Sequence, residues 1–172
     1  EIHSICLFDT LAQAMEFQDL VFSSLPNLTN NPDIFGEQFV VDLSGEFIRR
    51  EERLLFTSSS LSLKNAWEKV NQLGGLLIPA HIDRTIFGLL PVLGFVPEDI
   101  SLEALEISTF ITAEKAVAQF PQLSHYPLIQ NGDAHQLENI LGLTFFQMES
   151  PNIQEIRLAL KKLDGRSYYL KE

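Results

Sequence analysis

The sequence predicts an α/β fold with a largely parallel sheet, and two observations carry that expectation. From residue 62 onward, short apolar runs rich in β-formers alternate with amphipathic helical segments, the pattern of strands joined by helical crossovers. The chain has 172 residues, 45% of them hydrophobic and 20% charged, enough to bury a core and ordinary for one globular domain over 1–172.

The elements follow in order. The run "IHSICLF" (2–8) reads as a buried strand. Thr10 caps a helix over "LAQAMEFQDLVFSSL", with Leu11, Met15, Leu20 and Phe22 supplying most of its apolar face. Pro26 and "NLTNNPD" end that helix, and "EQFVVDLSGEFIRREERLLF" reads as a hairpin with a polar tip at Ser44-Gly45. Ser62 opens a second helix through "LKNAWEKVNQL", stopped by Gly74-Gly75. "LLIPA" is a strand, and "RTIFGLLPVLG" a short helix broken by Gly88 and Pro91. "LEALEIS" is a strand, "TAEKAVAQF" a helix, "PLIQ" a strand and "LENIL" a short helix. "LTFFQME" is a strand whose apolar stripe belongs to the core, and Pro151 opens the helix "NIQEIRLALKKL" at its first turn. "RSYYL" is a last short strand.

Charge narrows the function classes. Against 23 acidic side chains stand 12 basic ones, a formal net charge of −11. Such a surface repels phosphate backbones, so non-specific nucleic-acid binding is not expected, although a local basic pocket for a small phosphate stays open. Cys6 is the one cysteine, so no internal disulfide forms and a reducing, cytoplasmic compartment is expected. No apolar run approaches the length of a membrane span. The chain opens on Glu-Ile-His, without methionine and directly into a strand, and reads as a piece of something longer. Cys6 lies in an apolar strand, where thiols are inert. There is no Gly-x-Ser-x-Gly elbow, no phosphate loop ending in Lys-Ser/Thr and no Cys-x-x-Cys pair.

Four histidines remain: His3, His81, His125 and His135. "LLIPAHIDR" places His81 just after a strand, and "PLIQNGDAH" places Asp133 and His135 just after another. In parallel α/β folds the strand C-terminal ends share one rim, where binding groups collect. Two strands delivering imidazole and carboxylate there suit zinc, iron or manganese. Each residue has a plainer reading. Asp133 after Asn-Gly is a common turn residue and a helix cap. Arg84 is either a surface salt-bridge partner or a phosphate-binding fork. His3, on the strand face of Ile5 and Leu7, is a core histidine or a ligand. His125 belongs to a loop, and Ser58-Ser59-Ser60 to a solvated one.

Taken in order, "EIHSICLF", "GGLLIPAHIDR", "ALEIS" and "YPLIQNGDAHQLENIL" resemble the PHP (polymerase and histidinol phosphatase) superfamily, in particular its stand-alone metal-dependent phosphoesterases. "MESPNIQEIRLAL" resembles the strand and helix that close their domain, so the likeness covers nearly all of the chain. It implies a distorted seven-stranded β/α barrel with up to three divalent metal ions at the strand C-terminal rim. By this resemblance His3, His81, Asp133 and His135 fall on metal-ligand positions, and Arg84 on a basic position that meets the substrate phosphate. The family's opening His-x-His, Thr-Asp-His and Gly-x-Glu motifs are absent. The chain then corresponds to the C-terminal part of a PHP domain, with a partial barrel and half a metal shell that holds fewer ions or none. Implied substrates of the parent are a small phosphorylated molecule or a short oligonucleotide. The alternative is a non-catalytic module that self-associates through exposed sheet edges.

Overall fold

In a computed structural model, residues 1–171 are described, and they divide into two compact units. One comprises Glu1–Met15 with the chain from Leu63 onward; the other is Glu16–Ser62. The division falls within helix α1 (Leu11–Ser24).

The larger unit carries the predicted alternation: β1 (Ser4–Leu7), then α3 (Leu63–Gln72), β4 (Leu76–Pro79), α4 (Leu89–Leu93) and β5 (Leu105–Ile107). After these come α5 (Ala113–Gln119), β6 (Leu128–Gln130), β7 (Thr144–Gln147), α6 (Ile153–Leu160) and β8 (Ser167–Leu170). The α/β class holds, but the largely parallel sheet does not. Only β5 and β6 pair in parallel, joined by α5 as a crossover, while β1–β4 and β7–β8 are antiparallel. Each strand pairs with a single neighbour, and among the described residues no barrel closes. A long antiparallel pairing leaves the same local signature as a parallel one when both faces are covered. β4 shows this, with all four of its residues buried.

Leu76 and Ile78 of β4 form the core with Ala104, Ile129, Ile153 and Leu160, and Ile5, Leu7, Phe146 and Tyr168 close over it. Side-chain hydrogen bonds tie the strand pairs together. The Thr144 hydroxyl accepts from Gln130 N–H at 2.8 Å and donates to Gln130 C=O at 2.7 Å, linking β7 to β6. Glu155 accepts two hydrogen bonds from the Arg166 guanidinium, each 3.0 Å, and one from Glu149 N–H at 2.9 Å, fastening α6 to the ends of β7 and β8.

Five local expectations need correction. In α1 the buried residue is Phe17, while Leu11 and Met15 are exposed. Helix α4 is not broken: it starts after Gly88 and takes Pro91 into its first turn, where no N–H is required. "LENIL" makes only a 3-10 turn at Leu137–Asn139. Helix α6 is capped by Asn152, whose side chain accepts from Glu155 N–H, so Pro151 lies outside it. "LTFF" alternates rather than being wholly core, since Phe146 packs inward and Phe145 faces outward against Tyr169.

The smaller unit holds the rest of α1, α2 (Pro32–Phe35) and the predicted hairpin, β2 (Phe39–Val41) with β3 (Phe47–Arg50). Its tip forms because Asp42 Oδ1 accepts from Ser44 and Glu46 N–H and Gly45 takes φ +83. Arg53 lies 4.8 Å over the Phe22 ring and donates to Pro26 C=O. No helix of the described residues is long and apolar enough to cross a membrane.

Candidate metal centre

The candidate site lies where β4 and β6 end. Past Pro79 the backbone of His81 turns into the left-handed region, φ +32. Its N–H meets Glu106 Oε1 at 3.2 Å, and Ile82 N–H meets Glu106 C=O at 2.8 Å. Glu106 and His81 are each 2% exposed. The second carboxylate oxygen of Glu106 accepts from the Asn131 side chain at 2.8 Å. One buried acid in the middle of β5 therefore clamps the ends of both neighbouring strands. Asp83 makes a second tie, accepting from Ser108 N–H at 2.7 Å and Ser108 Oγ at 2.5 Å. Such charge-assisted bonds offset the cost of burying a carboxylate.

A cavity of about 280 Å³ opens there, and His81, Arg84, Asp133 and His135 all line it. Arg84 pairs with the Asp133 carboxylate. Asp133 sits at φ +47, and its carbonyl faces His135 Nδ1 at 2.8 Å. A ring nitrogen facing a carbonyl carries the proton, so a neutral His135 presents its Nε2 lone pair. Gly132 is required in this turn, because a Cβ would come 1.9 Å from Asn139 C=O. Gly88 is required in the other loop, where a Cβ would come 2.2 Å from Arg84 C=O.

His3 does not line the cavity but meets its edge. Its ring lies 5.2 Å from that of His81, edge to face, and stacks on Phe87 at 4.4 Å. Its Nε2 is 3.2 Å from Glu1 Oε1. Phe87, like His81 and Asp133, is a non-glycine residue at positive φ, so backbone strain collects in the two loops bearing the candidate ligands. His125 ends a 3-10 turn, Pro121–His125, between α5 and β6, where a loop was expected. Burial pushes the Cys6 thiol up to about 11, so it stays protonated and is no nucleophile at neutral pH.

The donors fit a divalent transition metal by type, imidazole and carboxylate. The buried Nδ1 of His81 has no hydrogen-bond partner, which also suits a missing ligand. The shell is not gathered, however. Among the described residues no group of three or more His, Cys, Asp or Glu stands close enough to hold an ion, and the Asp133 carboxylate is turned onto Arg84.

Sequence reasoning missed Glu106, Asp83 and Asn131. Glu106 carried a signal, an acid flanked by Leu105 and Ile107 in an otherwise apolar strand. Asp83 and Asn131 stand beside candidate residues in polar turns, where nothing in the local pattern sets them apart.

The chain has partial likenesses among known proteins. No family model matches. It is 33% identical to the uncharacterized protein YqxK of Bacillus subtilis (strain 168) over 109 residues, 59% of this chain and 28% of that protein. Its fold is similar to that of the lesion-specific endonuclease PfuEndoQ from Pyrococcus furiosus, with a TM-score of 0.67 at 23% identity over 97% of this chain and 37% of that one. It is also similar to Endonuclease Q in complex with a 27-mer duplex substrate bearing an abasic lesion, with a TM-score of 0.65 at 23% identity over 96% of this chain and 38% of the other. The chain thus spans well under half the length of each relative. These likenesses show a shared fold.

Proposed function

We propose that this chain is the C-terminal part of a PHP-type domain, a partial β/α barrel, in a metal-dependent phosphoesterase whose substrate is a phosphodiester in nucleic acid. The observation that supports it most is the single cavity lined by His81, Arg84, Asp133 and His135. The substrate class draws on the Endonuclease Q likeness, one member of which holds a duplex with an abasic lesion.

In this reading His81, Asp133 and His135 would hold a divalent ion (zinc, manganese or iron), with His3 beside His81 completing this chain's share of the ligands. Such an ion, when bound, polarises a phosphoryl oxygen and lowers the pKa of an attacking water. Arg84 exchanges Asp133 for the substrate phosphate, which its planar fork can grip through two oxygens. The Glu106 clamp keeps the two strand ends in fixed register while that exchange happens. The test is hydrolysis of a small phosphodiester and of a duplex with an abasic site by the full-length parent. His135→Ala is expected to lower the rate by roughly a hundredfold or more. An unchanged rate would remove His135 from the site.

A second reading, a non-catalytic module, is supported by the ungathered donors and by strands that each pair on one side only. It is tested by size-exclusion across a concentration series. Association that grows with concentration favours it, and a strictly monomeric species counts against it.

A further inference from the structure

We propose that a groove beside the candidate site binds single-stranded nucleic acid. This deepens the reading above and rests on it for the scissile phosphate, but the binding itself requires no metal. The groove, about 920 Å³, runs between the loop before α5, β6 and the end of β8. Thr109 and Phe110 line both it and the candidate site, so the two cavities adjoin.

Its charge departs from the rest of the molecule. Three of the six lysines, Lys115, Lys162 and Lys171, line it. Elsewhere cations are engaged by the protein itself: Arg49, Arg50, Arg84, Arg157, Arg166, Lys64 and Lys161 pair with carboxylates, and Arg53 with backbone carbonyls. Among the described residues none of the three groove lysines has an ion-pair partner. A single acid, Glu114, shares the lining, held ionised by its own backbone N–H and by Thr112. In a chain of net charge −11, three cations without a carboxylate partner among the described residues, one of them (Lys162) 5.8 Å over the Tyr168 ring, make a local anion-binding strip.

Exposed aromatic rings accompany the lysines. Phe110 is 86% exposed at the junction with the candidate site. Tyr169, 60% exposed, lies flat on Phe145, with centroids 5.0 Å apart and rings within 5° of parallel. Phe145 is itself 41% exposed, so the stack is a platform rather than a piece of core. Unpaired bases stack on such rings whatever their sequence, while lysines follow the backbone. A duplex hides its base faces, and proteins that grip one commonly neutralise about 6–10 phosphates. Three lysines on an acidic molecule suit a short single strand instead.

The test is fluorescence anisotropy of a labelled oligothymidylate of about ten nucleotides, titrated with this chain in chelator at low salt. The triple variant Lys115→Glu, Lys162→Glu, Lys171→Glu is expected to bind at least tenfold more weakly, and the slope of log affinity against log salt to shrink by about 2. Phe110→Ala is expected to weaken binding roughly fivefold or more through lost stacking. Lys64→Glu, outside the groove, should stay within twofold of the parent sequence. Circular dichroism checks that each variant keeps its fold. A triple variant that binds as tightly as the parent sequence, or a parent sequence that does not bind at all, overturns the proposal. Hydrolysis of a small phosphodiester with metal, run in parallel on the full-length parent, separates the two claims. Groove-dependent binding without His135-dependent hydrolysis keeps the groove and removes the phosphoesterase reading. His135-dependent hydrolysis without groove-dependent binding does the reverse.

Discussion

The two halves of the candidate site are built differently. The half at the end of β4 is buried: His81 and Glu106 are almost wholly enclosed, and every polar link runs through backbone N–H groups or a clamped carboxylate. The half after β6 is an exposed turn, where Asp133 and His135 are held by one ion pair, one ring contact with a carbonyl and a glycine. The first half is part of the fold, and changing it should destabilise the whole unit. The second half is held by few contacts, and changing its exposed side chains should alter binding while leaving stability nearly intact; only its glycine is sterically fixed.

The largest effect is expected from Glu106→Ala. It orphans the His81 N–H and the Asn131 amide in a buried setting, and should cost about 3 kcal/mol in urea unfolding. A loss below about 1 kcal/mol would show that the clamp is not what holds the buried half. Gly132→Ala comes next. Its methyl group meets the Asn139 carbonyl, so the turn must move, at about 1–3 kcal/mol. If the turn shifts freely because it is exposed, the melting temperature will hardly change, and the contrast between the halves becomes sharper.

How far the sequence anticipates this contrast depends on the range of the interactions. The strands and helices around His81 and Asp133 were legible, because apolar runs and Gly or Asn turns act over a few residues. The partners of those strands were not: Leu7 pairs with Leu76, and nothing near either residue sets that antiparallel register. The candidate ligands stood out because they are polar residues at strand ends. Glu106 showed only as an acid in an apolar strand, and its role comes from two loops that reach it across the fold. A surface salt bridge was one of two readings of Arg84 in the sequence, with no partner named; the structure pairs it with Asp133.

Smaller effects test the frame around the site. Glu155 is held below its ordinary value of 4.5, first by Arg166 and then by Glu149 N–H. A carboxyl depressed in the folded state adds stability above its unfolded value and loses it as pH falls through its folded value. The melting temperature should therefore hold above about pH 5 and drop below pH 4.5, more gently in Glu155→Gln. Equal slopes for the two proteins would assign the acid sensitivity elsewhere. The smallest change in stability is expected from Arg84→Ala, under about 1 kcal/mol, because the pair with Asp133 is more than a third exposed. The same variant frees the Asp133 carboxylate, so metal uptake should be kept or tightened while phosphate binding weakens.

The most direct test of the metal-centre reading is metal content by mass spectrometry on the chain purified without chelator, beside its His135→Ala and His81→Ala variants. Bound zinc, manganese or iron near one equivalent, lost in both variants, is the expected result. A parent sequence without metal, or variants that keep it, would contradict the assignment of these residues as ligands in this chain.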